Sequence, residues 1–131
     1  MAHDRPLGLT LAGGFMVLAV IGYSTGAISA LLMGGMYPSV LGGTVRVDGL
    51  ALFTGYAPLV PIAAVLAREI LYERSFRTVL VGFAAWFLIA SLDIVILGGI
   101  QMTLAIAFSG LVALVFVVAE RNRFADVRAH A

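Results

Sequence analysis

TVLVGFAAWFLIASLDIVILGGIQMTLAIAFSGLVALVFVVA, residues 78–119, contains one ionisable side chain, Asp93, and one pair of adjacent glycines, Gly98-Gly99. A bilayer core about 30 Å thick is crossed by roughly 20 apolar residues, so one uninterrupted helix over this stretch would be about twice too long. The glycine pair divides it into two spans at about 79–97 and 100–119, an antiparallel hairpin with a tight turn. Upstream, two more apolar runs of spanning length occur at about 7–33 and 50–71. The expected fold is therefore all-α, a polytopic membrane protein of four transmembrane helices in an antiparallel bundle, forming one domain over 1–131.

Composition agrees. Of 131 residues 62% are hydrophobic and 11% charged, with a mean hydropathy of +1.09, outside the range of soluble globules. The net charge of +1 excludes an electrostatic nucleic-acid binder, which needs clustered Lys and Arg to neutralise phosphates. The absence of Cys removes disulfides, thiolate metal sites and S-palmitoylation. Every basic side chain is Arg, which points to a GC-rich, prokaryotic genome.

The first run opens with Asp4 as a cap and Pro6, tolerated in a first helical turn. At about 40 Å it exceeds the bilayer and should tilt or emerge at one end. It is too long for a signal-peptide core and is read as retained. Residues 34–49 collect glycines, Pro38, Arg46 and Asp48 and are expected to form an outer loop. In the second run Pro58 and Pro61 each remove a backbone donor, so a kink is expected there. Ser75 or Thr78 is placed to cap the third helix.

Arginine placement gives the orientation. Arg5, Arg68, Arg74, Arg77, Arg121, Arg123 and Arg128 fall on one side and Arg46 alone on the other. Both termini and the middle loop are expected in the cytoplasm of a cell whose plasma membrane holds the protein. The asymmetry argues against dual topology. Tails 1–6 and 120–131 are expected to be short and cytoplasmic, the latter interfacial.

Gly22, Gly26, Ala30 and Gly34 recur every fourth residue on the first helix, a smooth face on which another backbone can approach closely; Ala105, Ser109 and Ala113 form a shorter analogue on the fourth. Such a face serves either packing within the chain or self-association. Asp93 lies about 6 Å below the outer end of the third helix and shares a helical face with Gly82, Trp86 and Ile89, so it should point at a neighbouring helix. Arg46, Asp48 and Gln101 reach the same side of the membrane and form with Asp93 a candidate polar cluster. One reading is a salt bridge from Asp93 to Arg46 that holds the loop over the helices. The other is a proton- or cation-handling site at the outer mouth.

The histidines, His3 and His130, sit in the tails, so no helix offers an axial imidazole for haem, and no cofactor or metal is expected. No Ser–His–acid set, paired acids, phosphate loop or dinucleotide fingerprint occurs, and catalysis would rest on Asp93 alone. The opening Arg5-Pro6-Leu7-Gly8-Leu9-Thr10 resembles the start of small uncharacterised four-helix membrane proteins of archaea and bacteria; the resemblance implies four spans and no activity. The chain does not look like the small multidrug-resistance transporters, whose first helix carries an embedded glutamate. Nor does it look like the fluoride channels, whose asparagine- and Thr/Ser-rich motifs are missing. The leading expectation is a non-catalytic accessory subunit that associates through the helix-one glycine face with itself or another membrane subunit. The rival is a small homo-oligomeric channel or transporter using Asp93.

Overall fold

A computed structural model describes residues 6–39, 42–97 and 101–129. Helix α1 (Leu7–Met33) leads into strands β1 (Gly35–Pro38) and β2 (Thr44–Val47). Then come α2 (Gly49–Tyr56), α3 (Leu59–Leu71), α4 (Phe76–Ile96) and α5 (Gln101–Ala119), and last a 3-10 turn (Arg121–Arg123) and the short α6 (Ala125–Ala129). Four segments, Leu7–Met33, Gly49–Leu71, Phe76–Ile96 and Gln101–Ala119, are long and apolar enough to cross a membrane. The Gly98-Gly99 turn lies outside the described residues.

These segments share one core. Leu9 and Met16 of α1, Leu52 of α2, Leu59, Leu66 and Ile70 of α3, Phe83 and Trp86 of α4 and Ile106 of α5 are fully buried. Small residues set the close approaches: a Cβ on Gly82 would stand 2.7 Å from Leu66, and one on Gly13 would collide with Leu71. Across α4 and α5 the Trp86 indole donates to the Ile106 carbonyl at 2.9 Å, directly over Gly110, which satisfies a buried donor that hydrocarbon could not. Most large side chains on the outer surface, such as Leu18, Leu32, Val81, Val95 and Phe108, are apolar and exposed, as lipid contact requires.

Four features correct the sequence reading. Residues 34–49, expected as a loop in an all-α chain, carry a two-stranded antiparallel hairpin that pairs Gly35 with Val47, Met36 with Arg46, Tyr37 with Val45 and Pro38 with Thr44. β-branched and aromatic residues favour pairing, and Gly42 and Gly43 supply the positive φ values of the turn. Pro58 does interrupt the second span, separating α2 from α3, but Pro61 adds no second kink. It occupies the first turn of α3, where a missing N–H costs nothing.

Helix α4 begins at Phe76, three residues earlier than expected, because the Ser75 hydroxyl accepts the Thr78 N–H at 3.2 Å. Finally, the tail after Ala119 does not lie free at the interface. It folds back so that the Ala125 N–H donates to the carbonyls of Glu73 and Arg74, both at 3.0 Å, and Phe124 is buried against Phe76 with ring centroids 5.4 Å apart.

Candidate polar site at the break in the second span

Asp93 is 2% exposed. Its backbone carbonyl closes the last turn of α4 by accepting the Leu97 N–H at 2.8 Å, so the side chain sits one turn below the helix end. It faces inward, on the face shared with Gly82, Trp86 and Ile89, because a carboxyl pointed at lipid would have no partner at all. Opposite it stands Gly55 of α2: a Cβ there would lie 2.8 Å from Asp93 Oδ1. Only a glycine lets the carboxyl approach the α2 backbone this closely.

The next residue, Tyr56, ends α2 and is 3% exposed. Its ring lies over Gly26 of α1 and 5.8 Å from Tyr23, which stands 5.8 Å from Trp86 at 65°. Two buried polar atoms here have no hydrogen-bond partner, the Tyr56 hydroxyl and Asp93 Oδ2. Buried polar groups are paired in the great majority of cases, so an orphan on Asp93 and a second one residue along the chain from its contact Gly55 are unusual.

The other members of the expected cluster are elsewhere. Arg46, Asp48 and Gln101 are exposed, and among the described residues no ion pair or hydrogen bond joins any of them to Asp93. The hairpin is the physical reason. Successive side chains of a strand alternate, and since Val47 turns inward, with 7% exposure, Arg46 and Asp48 must turn outward. They instead line a cavity of about 340 Å³ at the foot of the hairpin with Gly34 and Gly49.

The glycine face divides in two. Gly26 packs under Tyr56, Ala30 meets Gly49, and Gly34 turns the chain with a φ of +65°, so this half is consumed within the chain. Gly22 is open: nothing lies within 4 Å of a Cβ built there. It lines a groove of about 330 Å³ with Leu18, Ala19, Gly26, Tyr56 and Met102. A second groove of about 270 Å³, with Ala12, Ser109, Ala113 and Phe116 in its lining, follows the same α1–α5 seam.

At the end of the molecule that holds the α3–α4 connection and the tail, the buried acids are paired. Buried Glu69 pairs with Arg68 at 3.0 Å and Arg74 at 3.8 Å, and buried Glu73 with Arg123 at 3.3 Å. Asp126 accepts from the Phe76 N–H at 2.8 Å, the Arg77 N–H at 3.1 Å and the Ser75 hydroxyl at 3.4 Å. The Phe76 backbone donor above all, with those of Arg77 and Val127 and the Ser75 hydroxyl, holds its carboxyl below the usual range against an opposing desolvation. Among the described residues no three His, Asp or Glu side chains gather as metal ligands. His3 and His130 lie outside the described residues.

Sequence reasoning singled out Asp93 and passed over Gly55, Tyr56 and Tyr23. The available signal was a tyrosine two residues before Pro58 in an otherwise apolar span. No family model, curated protein or solved structure matches the chain.

Proposed function

We propose that this chain is a non-catalytic, multi-pass membrane module that assembles laterally with a second copy of itself or with another membrane subunit. Its four spans form an antiparallel bundle with both termini in the cytoplasm of a prokaryotic cell, resident in the plasma membrane. One observation carries the reading: two open grooves with small residues in their linings lie between α1 and α5, one with Ala19 and Gly22, the other with Ala12 of α1 and Ser109 and Ala113 of α5. Helix association in lipid depends on close backbone approach, and a seam with small residues on both walls is a seat for a further helix. The half of the glycine face consumed by α2 confines association to the part around Gly22.

Native mass spectrometry of protein extracted gently from its host membrane tests this. A discrete oligomer, or a complex with larger subunits, that disappears in Gly22→Leu at unchanged thermal stability supports the proposal. A monomer in native lipid overturns it. Because the chain has no Cys, single-Cys variants read orientation directly: Arg46→Cys should label from outside intact cells and Tyr72→Cys only after permeabilisation.

A further inference from the structure

We infer that Asp93, the Tyr56 hydroxyl and the carbonyl end of α2 together form a binding site for one monovalent cation, an alkali-metal ion or a proton. The site adjoins the association seam, whose larger groove is lined by Tyr23 and Tyr56, but Asp93 and Gly55 line neither groove of that seam.

Three independent features converge there. Asp93 and Tyr56 are each more than nine-tenths buried, and each presents an oxygen without a partner. Discontinuity of the second span supplies more oxygen. Pro58 has no N–H to give the Thr54 carbonyl, and the Val60 N–H turns to the Ala57 carbonyl at 3.2 Å. The C-terminal end of α2, the negative pole of its dipole, therefore lies one residue from Gly55 and its contact with Asp93. Broken helices whose carbonyl ends meet a buried acid are the membrane arrangement for holding a cation.

Charge arithmetic selects a monovalent ligand. One carboxylate matches one positive charge, and no second acid joins it among the described residues, whereas divalent ions draw six or more oxygens and several carboxylates. Of the titratable side chains around it, Tyr56 of α2 follows Gly55 in the chain, Tyr23 of α1 has its ring 5.8 Å from that of Tyr56, and Tyr37 of β1 packs against the same core. Helix α5 carries no ionisable residue, those of α3 are at its far end, and Arg46 and Asp48 of the hairpin region are exposed. Among the described residues no cationic side chain is paired with Asp93, so the ligand supplies the positive charge.

The only tryptophan, Trp86, stands edge-on to Tyr23 and reports on the site by its own fluorescence. The purified protein in lipid nanodiscs is titrated with sodium, potassium and lithium chloride against choline chloride at constant ionic strength. It is separately titrated from pH 5 to pH 9 in choline alone. A saturable emission change specific to one alkali ion identifies that ion as the ligand; a single-site pH response without ion specificity identifies the proton. Either must vanish in Asp93→Asn. An alkali-ion response must weaken about threefold to tenfold in Tyr56→Phe, the worth of one hydrogen bond. Tyr56→Phe and Gly55→Ala keep the acid in place and carry the test if Asp93→Asn does not fold. No response to ion or pH, or one unchanged in these variants, overturns the inference.

Discussion

Two ends of this molecule bury acids in opposite ways. At one, Glu69 and Glu73 are as inaccessible as core residues, yet each has an arginine within ion-pair distance, and Asp126 sits on three donors at the start of α4. At the other, Asp93 is as deeply buried, its Oδ2 has no hydrogen-bond partner among the described residues, and its carboxyl lies against Gly55 of α2. Burial alone therefore does not distinguish a structural acid from a functional one. The partner does: a paired acid contributes to holding the chain together, whereas an unpaired one is a standing cost that ligand binding can relieve.

The largest effect expected from this contrast is one of sign. Replacing Asp93 by leucine removes an unsatisfied polar group and should stabilise the protein by about 2 kcal/mol in the absence of added alkali ions, read as denaturant unfolding in mixed micelles. A loss of stability of that size would mean that Asp93 has a structural partner after all. Glu73→Ala should act the other way and cost about 1 kcal/mol, because its arginine is partly solvated. Alanine must keep the left-handed φ of 52° that position 73 holds in the Schellman turn, in which the Arg74 N–H reaches the Glu69 carbonyl and the residue-73 N–H that of Ile70.

Smallest is the cap. Asp126→Ala should cost about 0.5–1 kcal/mol and release the tail, visible as faster amide exchange at Phe76 and Arg77. Its pH dependence has a definite sign. The folded state holds the Asp126 carboxyl below its ordinary value, so its contribution is complete above an unfolded value of about 3.9 and is lost as pH falls through the folded one. Stability should decline between pH 5 and pH 3 in the wild type, and less steeply in Asp126→Asn.

Much of this was readable from residue order. Spanning segments follow from length and apolarity, the interruption at Pro58 from its missing N–H, and the inward direction of Asp93 from the cost of a carboxyl in lipid. Each is a local or solvent property, so one chain suffices to state it. The hairpin escaped because the glycines of residues 34–49 read as loop, although Val45, Val47 and Tyr37 alternate as a strand would. With it went the expected Arg46 salt bridge, since strand alternation turns that side chain outward.

Residue order alone dictates how many stretches of this chain are long and apolar enough to cross a membrane, because that depends on summed transfer energies along contiguous residues. The tertiary structure alone decided which side chains meet: that Gly55, nearly 40 positions from Asp93, is its neighbour, that the tail caps α4 from 50 residues away, and that the first and last spans border the same two grooves. Those contacts depend on how helices rotate and register against one another, a property of the packed whole that no single segment encodes.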